Sequence, residues 1–150
     1  MLKNMLQGMI VRNLFIIAAL LSLSGCATEA VLPSQAKTAP IERLLKYQTP
    51  TNGEQAKLIV VRDKGYLGSG CFVGVYLNQQ KAAILDPGEK AEFYLKPGEW
   101  NVALMGEGKM CIADKIPAGR DFMLTANTTK AVRLFADPSG NTDVKTLPNQ

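Results

Sequence analysis

Short runs in which apolar and polar residues alternate dominate the chain after residue 56. The clearest run covers residues 100–105, where Trp100, Val102 and Leu104 occupy alternate positions. This two-residue period is typical of strands that bury one face. Glycine, proline and asparagine interrupt the runs at roughly ten-residue intervals, which is typical of strand-to-strand turns. The pattern predicts an all-β domain over residues 56–147, folded as a small sandwich or barrel of meandering antiparallel strands.

The composition of the interruptions predicts individual turns. Residues 78–80 are expected to close a hairpin, and residues 86–89 and 96–99 combine proline with glycine, which suits tight turns. Residues 106–108 are expected to close a further hairpin that leads into a strand at 110–113.

A different pattern precedes this domain. Residues 14–21 are uniformly apolar and follow two positive charges, Lys3 and Arg12. A bilayer crossing needs about 20 apolar residues, and this run is shorter. Positive charge, a short apolar core and small residues behind it form an export signal. The pattern predicts a signal peptide over residues 1–25, and a retained membrane helix is the alternative.

The residues that end this run, Leu23-Ser24-Gly25-Cys26, resemble the lipobox of bacterial lipoproteins. The resemblance implies that Cys26 carries a diacylglycerol, that the chain is cut before it, and that the new amine is acylated. Each buried methylene contributes about 0.8 kcal/mol, so several acyl chains anchor a domain. The residue that follows Cys26 is Ala27 and not aspartate, which implies transfer to the outer membrane. The domain would then face the periplasm or be exposed at the cell surface.

Residues 26–55 are expected to connect the lipid to the domain. Residues 27–38 are rich in small and polar side chains, which predicts a flexible tether. Ile41, Leu44 and Leu45 then have helical spacing behind Pro40, which predicts a short amphipathic helix over 40–47. Such a helix would either fold back on the domain or dock a partner.

A second resemblance rests mainly on turn sequences. Residues 77–81 read Leu-Asn-Gln-Gln-Lys, residues 84–88 read Ile-Leu-Asp-Pro-Gly, and residues 94–102 read Tyr-Leu-Lys-Pro-Gly-Glu-Trp-Asn-Val. This order is similar to small bacterial lipoproteins with a PEGA-like, transthyretin-like sandwich, in which Trp100 would take the place of an aromatic or histidine residue. The resemblance covers about residues 57–113. It implies the fold and a non-enzymatic role in the envelope, and it carries no catalytic residue.

The cysteines and the charge fit an exported domain. With Cys26 lipidated, Cys71 and Cys111 remain as a pair in an oxidising compartment, which predicts a disulfide, with two buried thiols as the alternative. The chain has 17 basic and 13 acidic residues, and loss of Lys3 and Arg12 leaves 15 basic residues and a net charge of +2. These charges are interleaved, so a nucleic-acid partner is not expected.

The sequence offers little for catalysis. It contains no histidine, which removes the usual nucleophile–base pairs, and Ser69 lacks the flanking glycines of a nucleophile elbow. Residues 137–143 space oxygen-bearing side chains as a calcium loop does, but the twelfth position is Pro148 and the segment also suits a type I turn. No enzyme activity, cofactor or metal is therefore expected.

The predicted function is an interaction or assembly module, lipid-anchored at the outer membrane, with an envelope protein as partner. A ligand-binding or enzyme-inhibitor lipoprotein is the alternative. The candidate contact surface comprises Tyr66 and Gly68, in the glycine-rich loop 65–70, and Trp100. For Trp100, a place in the hydrophobic core is the competing interpretation.

Overall fold

The computed structural model describes residues 28–65, 70–108, 111, 117–137 and 139–148. The predicted signal peptide and Cys26 lie outside these ranges. Within them, no helix combines the length and the apolar character that a membrane crossing requires. The strands of the described chain are β1 (Lys37–Thr38), β2 (Ala56–Arg62), β3 (Phe72–Leu77), β4 (Gln80–Leu85), β5 (Glu89–Leu95), β6 (Gly98–Glu107), β7 (Ala118–Leu124), β8 (Thr129–Ala136) and β9 (Thr142–Leu147).

The strands form two sheets that pack face to face. One sheet has five strands in the order β1-β5-β2-β8-β9, and the other has four in the order β4-β3-β6-β7. Alternate residues of each strand point into the space between the sheets. Phe93, Leu58 and Leu77 are among the fully buried side chains there. The predicted all-β sandwich is confirmed.

The five-stranded sheet is mixed, which corrects the prediction of a purely antiparallel meander. β2 pairs with β8 in parallel, and β1 pairs with β5 in parallel. The backbone N–H of Asn127 donates to the carbonyl of Gln55 at 2.7 Å, and that of Lys57 donates to Thr128 at 2.9 Å. These bonds hold the starts of β2 and β8 side by side, so the two strands run in the same direction.

Two of the predicted turns are present as expected. Asn78 and Gln79 connect β3 to β4 with positive φ angles of 46° and 66°, the conformation that matches the twist of a two-residue hairpin. In the turn 86–89, the N–H of Glu89 donates to the carbonyl of Asp86 at 3.0 Å. This turn carries the chain from the four-stranded sheet to the five-stranded one.

The hairpin predicted at 106–108 is wrong. β6 continues through Gly106 and Glu107, which pair with Val73 and Phe72 of β3. The pairing with β3 explains the difference, because the backbone hydrogen bonds that it offers to Gly106 and Glu107 outweigh the turn tendency of the glycines. Of the strand predicted at 110–113, only Cys111 is described, and it lies outside the strands.

Residues 28–47, here called the strap, lie against the sandwich and do not form the predicted flexible tether. Val31, Ala36 and Ala39 are buried. In the sequence, small side chains suggest little apolar surface to bury. In the structure, these three fit close to a sheet surface where larger side chains would not. The predicted helix over 40–47 is reduced to one 3-10 turn, Ile41–Arg43, since Leu44 pairs with Ala83 instead.

The strap covers parts of both sheets. Val31 and Ala36 form a second, smaller core with side chains on the outer face of the five-stranded sheet, which are Ile59, Val61, Ala131 and Leu147. Further along, the N–H groups of Leu45 and Lys46 donate to the carbonyl of Ala82 in edge strand β4. The strap therefore behaves as the packing segment that was one of the two alternatives for residues 40–47.

Candidate functional site

The first residue that the structure describes, Thr28, lies close in sequence to the predicted lipidation residue. Cys26 lies outside the described residues, but Thr28 is only two positions further along. Its hydroxyl oxygen lies 2.9 Å from the carbonyl of Ala136 and 3.2 Å from a carboxylate oxygen of Asp63. Thr28 is therefore held at the end of the sandwich where β2 and β8 finish and β3 begins, here called the Thr28 end.

An ion pair with a buried carboxylate lies next to Thr28. The carboxylate of Asp63 is 1% exposed and accepts hydrogen bonds from the guanidinium of Arg133. Burial raises the pKa of Asp63, and the hydrogen bonds from Arg133 and Thr28 oppose that rise. The pair fixes the end of β2 against β8 and positions the first residues of the strap.

Arg62 joins the two sheets at the same end. Its Nη1 donates to the carbonyl of Cys71 at 2.6 Å and to that of Leu85 at 2.8 Å. Burial lowers the pKa of Arg62, and the nearby acidic side chains of Asp86 and Glu89 act against this. These contacts are structural, because they tie backbone groups of one sheet to a side chain of the other.

The predicted disulfide between Cys71 and Cys111 is present, with a Cα–Cα distance of 5.8 Å. It also lies at the Thr28 end, since Cys71 precedes Phe72, which pairs with Glu107 near the end of β6. Gly108 has a φ of 120°, and a Cβ there would lie 3.2 Å from the sulfur of Cys111. Glycine is thus required where the chain turns from β6 toward the disulfide.

Of the predicted contact residues, the structure describes only Trp100. Tyr66 and Gly68 lie outside the described ranges. Trp100 is half-buried, packs against the main core, and donates from its indole nitrogen to the carbonyl of Lys96 at 2.9 Å. Its ring meets Tyr47 edge-on with centroids 5.7 Å apart. These contacts favour the core interpretation of Trp100, and its role in partner binding stays a prediction.

Trp100 also lies far from the disulfide. Trp100 stands seven positions before Glu107 in β6, which corresponds to about 23 Å of strand. The sandwich therefore has a second end, formed by the start of β6 and its neighbours and here called the Trp100 end.

A polar cluster on the outer face of the four-stranded sheet was not predicted from the sequence. One carboxylate oxygen of Glu107 lies 2.5 Å from the amine of Lys81 and accepts a hydrogen bond from the hydroxyl of Tyr76 at 3.1 Å. The cluster covers Gly74, where a Cβ would meet that oxygen at 2.5 Å. The signal available was the alternation of Phe72, Gly74 and Tyr76, which places all three on one face of β3.

This cluster is not arranged as an acid–base centre. Burial and the neighbouring Glu107 raise the pKa of Tyr76 despite the opposing effect of Lys81, and the hydrogen bond to Glu107 raises the pKa of Lys81. At neutral pH the phenol therefore stays neutral and the amine stays charged. The arrangement provides hydrogen-bond donors on a sheet face that also exposes Phe72 and Met123.

The segment 137–141 forms a turn, the favoured interpretation of this sequence. The N–H of Gly140 donates to the carbonyl of Asp137 at 2.9 Å, and the Asp137 carboxylate accepts from Ser139 and Asn141. These bonds, led by the side chain of Asn141, lower the pKa of Asp137. Across the described residues, no three His, Cys, Asp or Glu side chains converge as metal ligands do.

Comparison with protein-family models, with curated proteins and with solved structures gave no match. The lipobox and PEGA-like resemblances therefore remain predictions that rest on the residues quoted for them.

Proposed function

We propose that the protein is a lipid-anchored envelope protein that acts as a non-enzymatic interaction or assembly module at the outer membrane. The observation that carries this proposal is the sequence Leu23-Ser24-Gly25-Cys26 at the end of a short apolar run behind positive charges. Acylation of Cys26 would attach the sandwich to the membrane, and a partner protein would bind its surface.

Two structural features support this proposal. The Cys71–Cys111 disulfide suits an oxidising compartment such as the periplasm. Thr28, two positions after Cys26, also bonds to the sandwich, and cleavage before Cys26 would leave Thr28 and all later residues in the mature chain.

The outer face of the four-stranded sheet is the proposed partner surface. It exposes 60% of Met123, which pairs with Glu99 near the Trp100 end, and 44% of Phe72, which pairs with Glu107 near the Thr28 end. Both are apolar side chains that gain from burial against a partner. Gly119 is the cross-strand partner of Ala103, and a Cβ at Gly119 would meet that of Ala103 at 2.5 Å. These small residues leave this part of the face without protruding side chains, which allows close approach by another protein.

Fractionation of envelopes from cells with the wild-type chain and with Cys26→Ser tests the anchor. We expect the wild-type protein in the outer-membrane fraction, with a mass on Cys26 that corresponds to acylation, and Cys26→Ser in the unanchored fraction with its disulfide intact. A Cys26→Ser protein that still fractionates with the outer membrane would contradict the proposal.

The same cells test the partner if they carry a photo-reactive residue at position 123 or, as a control, at position 145. Lys145 is exposed and lies in β9 of the other sheet. We expect cross-links to an envelope protein from position 123 and not from position 145. Cross-links to a small ligand or to a target enzyme would support the ligand-binding or inhibitor alternative, and the absence of any protein neighbour would contradict the interaction role.

A further inference from the structure

The distance between the lipidation residue and the folded domain limits how the domain can sit on the membrane. Ala27 alone separates Cys26 from Thr28. Two fully extended steps of the chain span at most about 7 Å. A free tether over residues 27–38 would instead allow an average separation of about 20 Å. The packed strap therefore removes most of the reach that the sequence suggested.

The exit point is held by several independent contacts. The backbones of Glu29 and Lys64 exchange two hydrogen bonds, of 2.6 Å and 3.0 Å. Thr28 contacts the carbonyl of Ala136, and Val31 is 3% exposed in the second core. Lifting the domain away from its lipid would require all of these contacts to break.

The exposed side chains that the structure describes nearest to Thr28 suit a layer of lipid headgroups. Lys64 and Glu29 supply one charge of each sign, and the exposed turn that follows β8 contributes Ser139 and Asn141. Hydroxyl, amide and paired charged groups can exchange hydrogen bonds with phosphate and amine groups. These four positions carry no large apolar side chain, and Phe72, which lies at the same end and is 44% exposed, belongs to the outer face of the four-stranded sheet.

On this geometry, and resting on the proposed function, we propose that the sandwich stands end-on against the bilayer. The Thr28 end contacts lipid headgroups, and the Trp100 end points away from the membrane. The outer face of the four-stranded sheet then rises from the membrane surface and remains accessible from the side. The strap therefore acts as an orienting device and not as a spacer.

The single tryptophan of the chain allows a direct test. The acylated full-length mature protein is placed in phosphatidylcholine vesicles that contain a lipid with a spin label on its headgroup, which quenches nearby tryptophan fluorescence. One sample has the natural Trp100, and a second has Trp100→Phe with Ser139→Trp. We expect quenching of the residue at position 139 to be several-fold stronger than that of Trp100.

A spacer provides the matched control. Twelve added residues of alternating glycine and serine between Ala27 and Thr28 give the domain about 20 Å of reach without changing its fold. We expect this insertion to reduce quenching at position 139 to the level of Trp100. Lys64→Trp in the Trp100→Phe background is a second reporter at the Thr28 end, in case Ser139→Trp does not fold.

The outcomes separate the orientation from the anchor. Equal quenching of the two ends, or quenching that the spacer does not change, would overturn the end-on orientation while an acylated Cys26 still supports the proposed function. Absence of acyl mass on Cys26, or vesicle binding by Cys26→Ser equal to that of the acylated protein, would overturn both.

Discussion

Arg62 and Asp63 are consecutive charged residues, and both are buried at the end of β2. In the sequence they resemble the polar end of a strand, and Asp63 looks like a strand breaker. In the structure Arg62 bonds to carbonyls of the four-stranded sheet, whereas Asp63 bonds to Arg133. A buried charge requires partners of this kind, and the partner of Asp63 lies 70 residues away in the sequence. Local patterning therefore could not predict the burial of either residue.

Arg43 and Glu89 form a comparable link between the strap and the sandwich. Two guanidinium nitrogens of Arg43 donate to the two carboxylate oxygens of Glu89, each at 2.7 Å, and the N–H of Asp86 donates to the same carboxylate. Burial raises the pKa of Glu89, but the bonds from Arg43 and Asp86 outweigh it and hold the pKa below its ordinary value of 4.5.

Glu89→Gln should therefore destabilise the protein in a pH-dependent way. Because the folded-state pKa is depressed, the stabilisation is fully present above the unfolded pKa and is lost as the pH falls through the folded one. We expect a loss of about 2 kcal/mol in the free energy of unfolding at pH 7, from urea titration, and a smaller loss at a pH well below 4.5, where the carboxylate is protonated in the folded protein as well. Exposed Glu54→Gln is the control. An equal loss at both pH values would contradict the role of the ion pair.

At the scale of elements, the strap solves two problems that the strands leave open. The outer face of the five-stranded sheet carries apolar side chains, and Val31 and Ala36 cover them. Strand β4 lies at the edge of its sheet, and the carbonyl of Ala82 in β4 accepts hydrogen bonds from the backbone N–H groups of Leu45 and Lys46. Covering an edge in this way limits pairing with other chains.

The strap should be a cooperative part of the fold, and Val31→Ala tests this. The change removes two methyl groups from a site that is 3% exposed, and we expect a loss of about 2 kcal/mol in the free energy of unfolding. Ser34→Ala, at an exposed position of the strap, is the matched control and should change stability little. If the two variants were equally stable in chemical denaturation, the strap would not be part of the cooperative unit.

At the scale of the whole molecule, the sequence predicts local structure better than pairing. The alternation at Trp100, Val102 and Leu104 predicts strand β6, and the turn residues at 78–80 predict the hairpin between β3 and β4. Both signals are contained in a few adjacent residues. The parallel pairing of β2 with β8 joins two strands that are separated in the sequence by β3 to β7. No short-range pattern of apolar and polar residues predicts a pairing between strands so far apart.

The candidate site shows the same division. The predicted disulfide is confirmed, and its prediction needed only the even number of cysteines left after Cys26 and the oxidising compartment that an export signal would imply. The cluster of Tyr76, Lys81 and Glu107 forms only when β3 lies between β4 and β6, so it could not be predicted without the sheet order. The packing of the strap depends likewise on a complementary sheet surface.

The disulfide provides a test of stability at this same scale. Cys71 and Cys111 are 40 residues apart, and the chain between them includes β3 to β6. Closing a loop of this length restricts the unfolded chain by about 4 kcal/mol on the chain-entropy model. The native sheet already holds the two ends close, since Phe72 pairs with Glu107, so the bond should add stability without being needed to define the fold.

We therefore expect the double variant Cys71→Ala and Cys111→Ala to keep its β-sheet circular dichroism spectrum and to lose up to about 4 kcal/mol in the free energy of unfolding. Reducing the wild-type protein should reproduce this loss, and reductant should leave the double variant unchanged, which excludes effects on other groups. Loss of the sheet spectrum in the double variant under native conditions would show that strand pairing at the Thr28 end depends on the covalent bond. The pairing of β3 with β6 would then be a consequence of the disulfide and not its cause.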